Sequence, residues 1–283
     1  MNSTPGTLYL VGTPIGNLED ITLRAVRVLR EVDLVAAEDT RVTRVLLQRY
    51  EIRTRLISYH EHSGPGRLQE ILDALRQGES VAFVSDAGMP GVSDPGAKLV
   101  KACADAAIPV SVAPGPTAAS AALALSGLPM KEHLFLGFLP SRAGQRREAL
   151  RRAKDQVGAL VLFEAPHRVR ESLEDMHEVL GDRPAACCRE LTKRFEEVVR
   201  GTISELVAHF AENEPRGEFT IVVAGAPAHA AEGDLGAALE EARELIAAGL
   251  SASRAVAHVA RRRGVSKSAL YRAVLDQGRG DEG

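Results

Sequence analysis

Short apolar runs alternate with amphipathic stretches through the first half of the chain. Between the runs, apolar residues recur every three or four positions, as they do over Leu18–Glu31, which is the spacing of one helix face. The runs themselves are short and mostly apolar, which is typical of buried strands. Strands that alternate with helices in this way predict βαβ units and a mostly parallel sheet. The predicted strands are Leu8–Gly12, Leu34–Ala37, Arg55–Tyr59, Ser80–Val84 and Val110–Ala113.

A break in this pattern at Ser126–Glu132, which contains Gly and Pro and has no periodicity, predicts a domain boundary. A second α/β unit follows, in which Ser141–Lys154 is predicted to be a strongly basic helix. The predicted strands Ala185–Arg189 and Glu196–Gly201 lie close together in the sequence, which indicates some antiparallel pairing. The strands predicted for this unit are Leu134–Phe138, Ala159–Phe163, Ala185–Arg189, Glu196–Gly201 and Phe219–Ala224.

Three helical patterns follow a linker of small residues at Pro227–Gly233. Gly264 separates the last two patterns, as in the turn of a helix-turn-helix. The predicted fold class is therefore α/β, with two α/β/α domains at residues 1–126 and 127–228, a cleft between them, and a small helical domain at residues 229–283. The predicted helices of this last domain are Leu235–Ala247, Ser251–Arg263 and Ser266–Leu275.

Composition narrows the classes of function. A formal net charge of -3 excludes a polybasic nucleic-acid binder, so any contact with nucleic acid must come from local patches. The three cysteines lack the spacing of a metal site, which favours a reducing cytoplasm. We see no signal peptide and no apolar run of membrane-spanning length. With no tryptophan and 4% aromatic residues, base stacking is not expected to be the main source of affinity for nucleic acid.

The stretch Ser85–Gly96 contains three glycines and two prolines, so it cannot be regular structure. It follows a predicted buried strand, and the carboxyl ends of parallel strands are where α/β sheets bind ligands. An ordinary surface loop is the alternative. Other loops at strand ends are expected at the same edge, where two domains would enclose a polar cleft. These loops are Gly12–Asn17, Glu38–Arg41, His60–Gly64, Pro114–Thr117, Phe138–Ser141 and Glu164–Arg168.

Common nucleotide motifs do not explain such a cleft. A G-x-G-x-x-G pattern at Gly278–Gly283 has no strand before it and no helix after it, so NAD and FAD are disfavoured. The sequence has no P-loop, H-E-x-x-H or G-x-S-x-G motif. A metal site at His60–His62 would require a local bend, because neighbouring side chains diverge. A polar loop is the simpler alternative there.

Three motifs together resemble the tetrapyrrole methylase superfamily, also called class III methyltransferases. They are Gly-Thr-Pro-Ile-Gly-Asn from Gly12, the loop Ser85–Gly96, and Ala-Pro-Gly-Pro-Thr-Ala from Ala113. The resemblance covers nearly the whole chain, including the helical tail. Ser63 is a departure, since asparagine is expected there. Four further motifs are similar to members of the superfamily that methylate ribosomal RNA: Glu38–Arg41, Tyr59–His62, Glu164–Arg168 and Arg189–Lys193.

The resemblance implies S-adenosylmethionine as methyl donor and a homodimer. It implies, as acceptor, the 2′-hydroxyl of a decoding-centre cytidine in small-subunit ribosomal RNA, within the small ribosomal subunit. Because the donor carries its own leaving group, the protein must mainly orient the two reactants and exclude water. The residues expected at the donor are Pro14, Gly16, Asp86, Ala87, Gly88, Pro90, Ser93, Asp94, Pro114, Thr117, Phe138 and Glu164.

On the acceptor side the resemblance places Glu38, Asp39, Arg41, His60 and Glu61. A ribose hydroxyl is a poor nucleophile, so a general base would help. The hypothesis is that Asp39 or His60 assists deprotonation, with Asp86 and Asp94 as other candidates. Capping of the following helix is an equally good explanation for the residue type at Asp39.

Two basic stretches, Ser141–Lys154 and the helical tail, are expected to contact RNA phosphates. They concentrate positive charge in a chain whose net charge is otherwise negative. A solvated helix face is the alternative. The residues predicted to bind RNA are Arg146, Arg147, Arg151, Arg261, Arg262, Arg263 and Lys267.

Two other functions of the protein stay open. They are methylation of a tetrapyrrole on the same scaffold and non-catalytic nucleic-acid binding.

Overall fold

The computed structural model describes residues 4–91, 95–129, 132–227 and 235–278. Its first sheet is entirely parallel, with strand order β3-β2-β4-β1-β5. All residues of β2 and β4 are buried, because helices cover both faces of the sheet. The strands are β1 (Leu8–Val11), β2 (Leu34–Ala37), β3 (Arg55–Ser58), β4 (Val81–Val84) and β5 (Val110–Ala113).

Four helices connect these strands and cover the sheet in pairs. The apolar faces of α1 and α2 pack on one side, and those of α3 and α4 pack on the other. Neighbouring strands therefore send their connections to opposite faces, which opens a crevice at their carboxyl ends. The helices are α1 (Leu23–Glu31), α2 (Thr40–Arg49), α3 (Pro65–Arg76) and α4 (Gly96–Asp105).

The helix predicted at Leu18–Glu31 is divided in the structure. Leu18–Asp20 forms a single 3-10 turn, and α1 begins only after Thr22. Each segment has its own cap, since the Asn17 side chain accepts a hydrogen bond from the Glu19 N–H and the Thr22 hydroxyl accepts one from the Ala25 N–H. The two caps make the 3-10 turn and α1 separate segments, so the turn after β1 is not part of a continuous helix.

The second sheet has the order β6-β7-β10-β8-β9. Strands β6 and β7 are parallel, whereas β10 is antiparallel to both of its neighbours. The predicted antiparallel pairing near residues 185–201 is confirmed by the β8–β9 hairpin. The strands are β6 (His133–Phe138), β7 (Ala159–Glu164), β8 (Pro184–Arg189), β9 (Glu197–Thr202) and β10 (Phe219–Val223).

Three helices, α6 (Ala143–Ala153), α7 (Val169–Leu180) and α8 (Ile203–Glu212), cover one face of this sheet. The opposite face is covered by α5 (Ala118–Ser126), although α5 directly follows the last strand of the first sheet. Its small side chains let it lie close to the strands, with the carbonyl oxygen of Ala122 3.9 Å from the Cys188 sulfur. This helix therefore ties the two sheets together, and the domain limits near residue 126 stay a prediction.

The C-terminal helices α9 (Leu235–Ala247), α10 (Ala252–Arg263) and α11 (Lys267–Gly278) enclose an apolar cluster of their own. Gly264 ends α10 in the left-handed conformation (φ 67°), which glycine adopts without strain. Residues 228–234, which include most of the predicted linker, lie outside the described residues. In the part of the chain that the structure describes, no helix is long and apolar enough to span a membrane.

The turns that follow β1 and β5 are in direct backbone contact. A Cβ atom built on Gly115 would lie 2.9 Å from the Cα atom of Gly12, and one on Gly12 would lie 2.7 Å from the Cα atom of Gly115. Both distances are too short for carbon atoms in van der Waals contact. Glycine is therefore needed at both positions to let the two turns meet.

We predict that Gly115→Ala lowers the free energy of unfolding by about 1–3 kcal/mol, because the new methyl group must push the two turns apart. Urea unfolding measures this change. The matched control is Gly144→Ala in the first turn of α6, where an added Cβ atom meets nothing within 4 Å. Equal stability of both variants would contradict the proposed close contact.

Candidate active site

A cleft of about 510 Å³ lies at the carboxyl edge of the first sheet. Its volume is in the range of small-molecule sites. One part of its lining is polar, from Thr13, Ser85 and Asp86, and Lys193 and Glu218 of the second sheet close it. The rest is an apolar surface that suits the flat face of a nucleoside better than a chain of phosphates. That surface is formed by Pro14, Ile15, Leu18, Val42, Val45 and Leu46.

The loops after β1 and β4 form one wall of this cleft. The Thr13 N–H donates to the Gly88 carbonyl oxygen at 2.9 Å, and the Gly88 N–H donates back at 3.2 Å. The Thr13 hydroxyl also donates to the carbonyl oxygen of Ser85 at 3.2 Å. Gly88 has φ +78°, where a side chain would be strained. These contacts hold a glycine- and proline-rich loop in one position.

Ser85 is the polar group in this wall that most clearly indicates a ligand. The residue is 5% exposed, and its hydroxyl has no hydrogen-bond partner among the described residues. Burying a hydroxyl without a partner is unfavourable by about 1–3 kcal/mol. A polar atom of a bound molecule would remove that penalty, so the cleft fits a ligand that is partly polar and partly flat and apolar.

Two acidic side chains, those of Glu38 and Asp86, connect the ends of β2 and β4. The Asp86 carboxylate accepts a hydrogen bond from the Asp39 N–H at 2.9 Å, and the Glu38 carboxylate accepts one from the Asp86 N–H at 3.3 Å. Each carboxylate therefore supports the backbone of the opposite strand end. Partial loss of solvent in the cleft wall raises the pKa of Asp86 above that of an ordinary aspartate, although the residue is still exposed.

Asp39 has a different environment from Asp86. It caps α2 by accepting the Arg41 N–H at 2.7 Å, and the Arg41 guanidinium contacts both of its carboxylate oxygens, at 2.6 Å and 3.1 Å. Its hydrogen bonds with Arg41 lower the pKa of Asp39 to about 2. The capping explanation for this residue is thus observed. A carboxylate held in this way is a weak base.

The segments next to the strands of the second sheet contribute two charged residues to the cleft lining, Lys193 and Glu218, which were not among the predicted site residues. The Lys193 ammonium lies between the carboxylates of Glu190, at 2.8 Å, and Glu218, at 2.9 Å. A Cβ atom on Gly16 would lie 2.5 Å from the Lys193 side chain and 2.8 Å from the Leu191 carbonyl oxygen. The turn after β1 therefore touches the β8–β9 loop. The motif Arg189–Lys193 was the only sequence signal for this contact.

The residues predicted at the donor fall into several groups. Pro14, Gly16, Asp86 and Ala87 line the cleft, while Gly88 and Pro90 are buried in the loop behind it. Pro114 lies in the turn after β5, and the Thr117 hydroxyl caps α5 by accepting the Ser120 N–H. Phe138 is exposed at the end of β6. Ser93 and Asp94 lie outside the described residues.

Glu164 is placed where a cofactor has little access. It is 1% exposed, its carboxylate accepts hydrogen bonds from the Ala165 N–H and the Ser172 hydroxyl, and it pairs with Arg168 at 3.3 Å. These contacts organise the start of α7. The structure therefore gives Glu164 a local structural role, in contrast to its predicted place at the donor.

His60 lies in a separate surface groove with His62 and Ser63, and it is not among the residues that line the cleft. Its N–H donates to the Ser63 hydroxyl at 2.9 Å. The ring centroids of His60 and His62 are 6.3 Å apart. Within the described ranges, no group of three or more His, Cys, Asp or Glu residues is arranged to hold a metal ion.

The predicted RNA-binding arginines of α6 are mostly paired. Arg146 is 2% exposed and lies 2.5 Å from Asp175. It is therefore not accessible to an RNA phosphate, and its predicted role is wrong. Arg147 shares Asp175 at 2.8 Å. Arg151 is exposed and lies 3.5 Å from Glu148. Periodicity does not reveal this, because the carboxylate that pairs with Arg146 comes from α7.

Some of the predicted RNA-binding arginines in the C-terminal helices are also paired with a carboxylate, and one lines a groove instead. Arg262 and Arg263 both pair with the Glu241 carboxylate of α9. Arg261 lines a shallow groove on α10 together with Arg254. Arg261 and the exposed Lys267 are therefore the cations of this set best placed to meet an RNA backbone.

The fold and the cleft define a class of protein. Residues 7–207 match the family model of Tetrapyrrole (Corrin/Porphyrin) Methylases, and the chain belongs to that family. The resemblance to this family and the predicted α/β fold class are confirmed. Proteins of this family use S-adenosylmethionine as methyl donor, which confirms the predicted cofactor.

Similar proteins share one name, "Ribosomal RNA small subunit methyltransferase I". The relative from Halalkalibacterium halodurans is 44% identical over 270 residues, which are 94% of this chain and 93% of that protein. The relative from Mesorhizobium japonicum is 48% identical over 98% of this chain and 95% of that protein. The relative from Thermotoga maritima is 49% identical over 78% of this chain and 99% of that protein.

Solved structures share the fold at lower identity. Cobalt precorrin-4 methyltransferase, a cobalamin biosynthetic enzyme, superposes with a TM-score of 0.57 at 18% identity, over 77% of this chain and 94% of that one. Uroporphyrin-III-C-methyltransferase from Thermus thermophilus superposes with a TM-score of 0.56 at 24% identity, with the same coverage. At these identities the likeness shows the fold alone.

Proposed function

We propose that this protein transfers the methyl group of S-adenosylmethionine to the ribose 2′-hydroxyl of a cytidine in the decoding centre of small-subunit ribosomal RNA. The observation that carries the proposal is the identity of 44% and 48%, over nearly the full chain, to proteins named as small-subunit ribosomal RNA methyltransferases. The motifs at Glu38–Arg41 and Arg189–Lys193 resemble those of superfamily members that methylate ribosomal RNA, and this resemblance is what favours a cytidine ribose as the acceptor. Lys193 of the second motif lines the cleft.

The donor fits the cleft in its chemistry. Pro14, Gly16 and Ala87 would bind its flat and apolar parts. The Ser85 hydroxyl, which has no partner within the described ranges, would bind a polar group. When bound, S-adenosylmethionine supplies an electrophilic methyl group on a sulfonium that leaves as a neutral thioether. The protein's own task is to hold the hydroxyl in line with that methyl group and to keep water out.

The proton of the ribose hydroxyl needs an acceptor, and the geometry favours Asp86. Asp86 lines the cleft, and its raised pKa makes it a better base than Asp39. Asp39 instead fixes Arg41 beside Asp86, and His60 lies outside the cleft lining. We therefore propose Asp86 as the base in place of Asp39 or His60.

The function is tested by methyl transfer. We predict that the protein moves the labelled methyl group of S-adenosylmethionine to small ribosomal subunits or to their naked RNA, and that the label maps to a single cytidine ribose. A porphyrinogen as acceptor is the matched control, because the solved neighbours are methyltransferases of tetrapyrroles by name. Transfer to the porphyrinogen, or label on a base, would contradict the proposal.

The base is tested by single-turnover rates at saturating donor. We predict that Asp86→Asn lowers the rate by about 100-fold or more, because the amide keeps the hydrogen bond from the Asp39 N–H but cannot accept a proton. Asp39→Asn and His60→Ala should lose less than about tenfold. The wild-type rate should fall as pH drops through the raised pKa of Asp86, well above the value of about 2 for Asp39. An unchanged rate in Asp86→Asn would exclude Asp86 as the base.

RNA affinity is tested by its dependence on salt. We predict that Arg261→Gln weakens binding and reduces the salt slope by about one unit, because one phosphate contact is lost. Arg262→Gln should have a smaller effect, since Glu241 already neutralises that arginine. Arg27→Gln in α1 is the control. If neutralising Arg261, Arg262 and Arg263 together leaves the slope unchanged, the tail does not bind the RNA backbone.

The predicted homodimer stays a prediction. Val110 and Val112 expose apolar side chains on the edge strand β5, which is surface that a second copy would cover. Analytical ultracentrifugation would measure this assembly, and a monomer at micromolar concentration would contradict it.

A further inference from the structure

The loop between β8 and β9 presents a phenyl ring to solvent beside the cleft. The Glu196 N–H donates to the Lys193 carbonyl oxygen at 3.1 Å, so residues 193–196 form a tight turn with Arg194 and Phe195 at its tip. Phe195 is 66% exposed, the most exposed of the large aromatic side chains in the described residues. Turn tips are normally occupied by Gly, Asn, Asp, Pro or Ser, so local turn chemistry does not explain an aromatic residue here.

The loop is held rigidly in this position. Glu190 and Thr192 adopt positive φ values of 50° and 64°, which side chains rarely accept. The Thr192 N–H donates to the Glu196 carboxylate at 2.6 Å, and the Lys193 ammonium is fixed by two carboxylates. Backbone strain of this kind is concentrated at functional sites, where it holds groups in place for a ligand. Because Lys193 lines the cleft, the tip is held next to it.

The face of the ring is supported by a cation. The Arg194 guanidinium lies 5.5 Å from the centroid of the Phe195 ring. Arg194 makes no ion pair with any residue in the described ranges. An arginine beside an exposed aromatic ring is an arrangement that stacks on nucleobases, because both groups offer flat faces.

The charges around the tip decide between a base and a phosphate as its ligand. The loop and its contacts contain three basic side chains and four acidic ones, so the local charge does not attract a phosphate. A neutral, flat nucleobase is compatible with this environment. The basic residues are Arg189, Lys193 and Arg194, and the acidic ones are Glu190, Glu196, Glu197 and Glu218.

We propose that Phe195, backed by Arg194, stacks on an unpaired nucleobase of the RNA substrate and so positions the acceptor ribose at the cleft. This inference rests on the proposed function and specifies how the substrate is held. Transfer to a 2′-hydroxyl involves no atom of the base, so the base can be held outside the cleft. Phe195 is thus a positioning residue, and single-stranded RNA with splayed bases is the form it fits.

The absence of tryptophan from the chain provides a direct test. Phe195→Trp places the only indole of the protein at the tip, and stacking on a base quenches indole fluorescence. We expect purified small ribosomal subunits, titrated into this variant, to reduce its emission by about half or more at saturation when a base stacks on the ring. Val157→Trp is the matched control, because Val157 is 58% exposed and precedes β7 at the opposite end of that strand from the cleft.

Kinetics give a second readout. Phe195→Ala should raise KM for the subunits by about tenfold, with kcat reduced much less, because a stacked base contributes mainly to binding. Phe195→Tyr should restore KM, and the melting temperature of Phe195→Ala should match that of the wild type. A merely structural role would instead lower the melting temperature and would not be rescued by every aromatic residue.

The outcomes separate this inference from the proposed function. If the wild type methylates the RNA but the emission of Phe195→Trp and the KM of Phe195→Ala do not change, the stacking proposal alone is overturned. If the emission changes with protein concentration before RNA is added, a second copy of the chain covers the ring, and the proposal is also overturned. If the wild type methylates no RNA, the proposed function fails, and quenching by the same subunits still decides whether the ring meets a base.

Discussion

The contact between the turn after β1 and the loop after β4 is the constraint on which the candidate site depends. Thr13 and Gly88 pair through two backbone hydrogen bonds, and the Thr13 hydroxyl adds a third to the carbonyl oxygen of Ser85. Without them, a loop rich in glycine and proline would have many conformations and a high entropic cost of ordering. With them, Ser85 and Asp86 lie at defined positions in the cleft wall. Gly88, with its φ of +78°, is therefore part of the site although it does no chemistry.

Electrostatics then gives two neighbouring aspartates different properties. Arg41 occupies both carboxylate oxygens of Asp39 and lowers the pKa of that residue to about 2, while partial loss of solvent raises the pKa of Asp86. The two residues also support each other, because the Asp39 N–H donates to the Asp86 carboxylate. A pair of acids with separated pKa values is how enzymes assign one group to structure and another to proton transfer.

The second sheet completes the site through a loop that is strained and tightly bonded. Glu190, Lys193 and Glu218 bring this loop against Gly16, so the cleft requires both sheets. Helix α5 makes that arrangement possible by leaving the first sheet and packing on the second. The loops of the two sheets are thus held in fixed positions on either side of one cleft, an arrangement that suits a reaction that depends on orientation.

The local pattern of apolar and polar residues determined most of the secondary structure of this protein. Alternating apolar runs and helical periodicity predicted the strands and helices to within a few residues, because burial on both faces of a parallel sheet leaves a direct trace in the sequence. The motifs at Gly12–Asn17 and Ser85–Gly96 predicted where the cleft lies. The tertiary structure alone decided which side chains are free to act. Arg146 is neutralised by Asp175, Glu164 is enclosed by Ser172 and Arg168, and Asp39 is held by Arg41. The first two partnerships join residues of different elements, and a residue's charge or hydrogen-bonding capacity is available to a substrate only when no such partner has already used it.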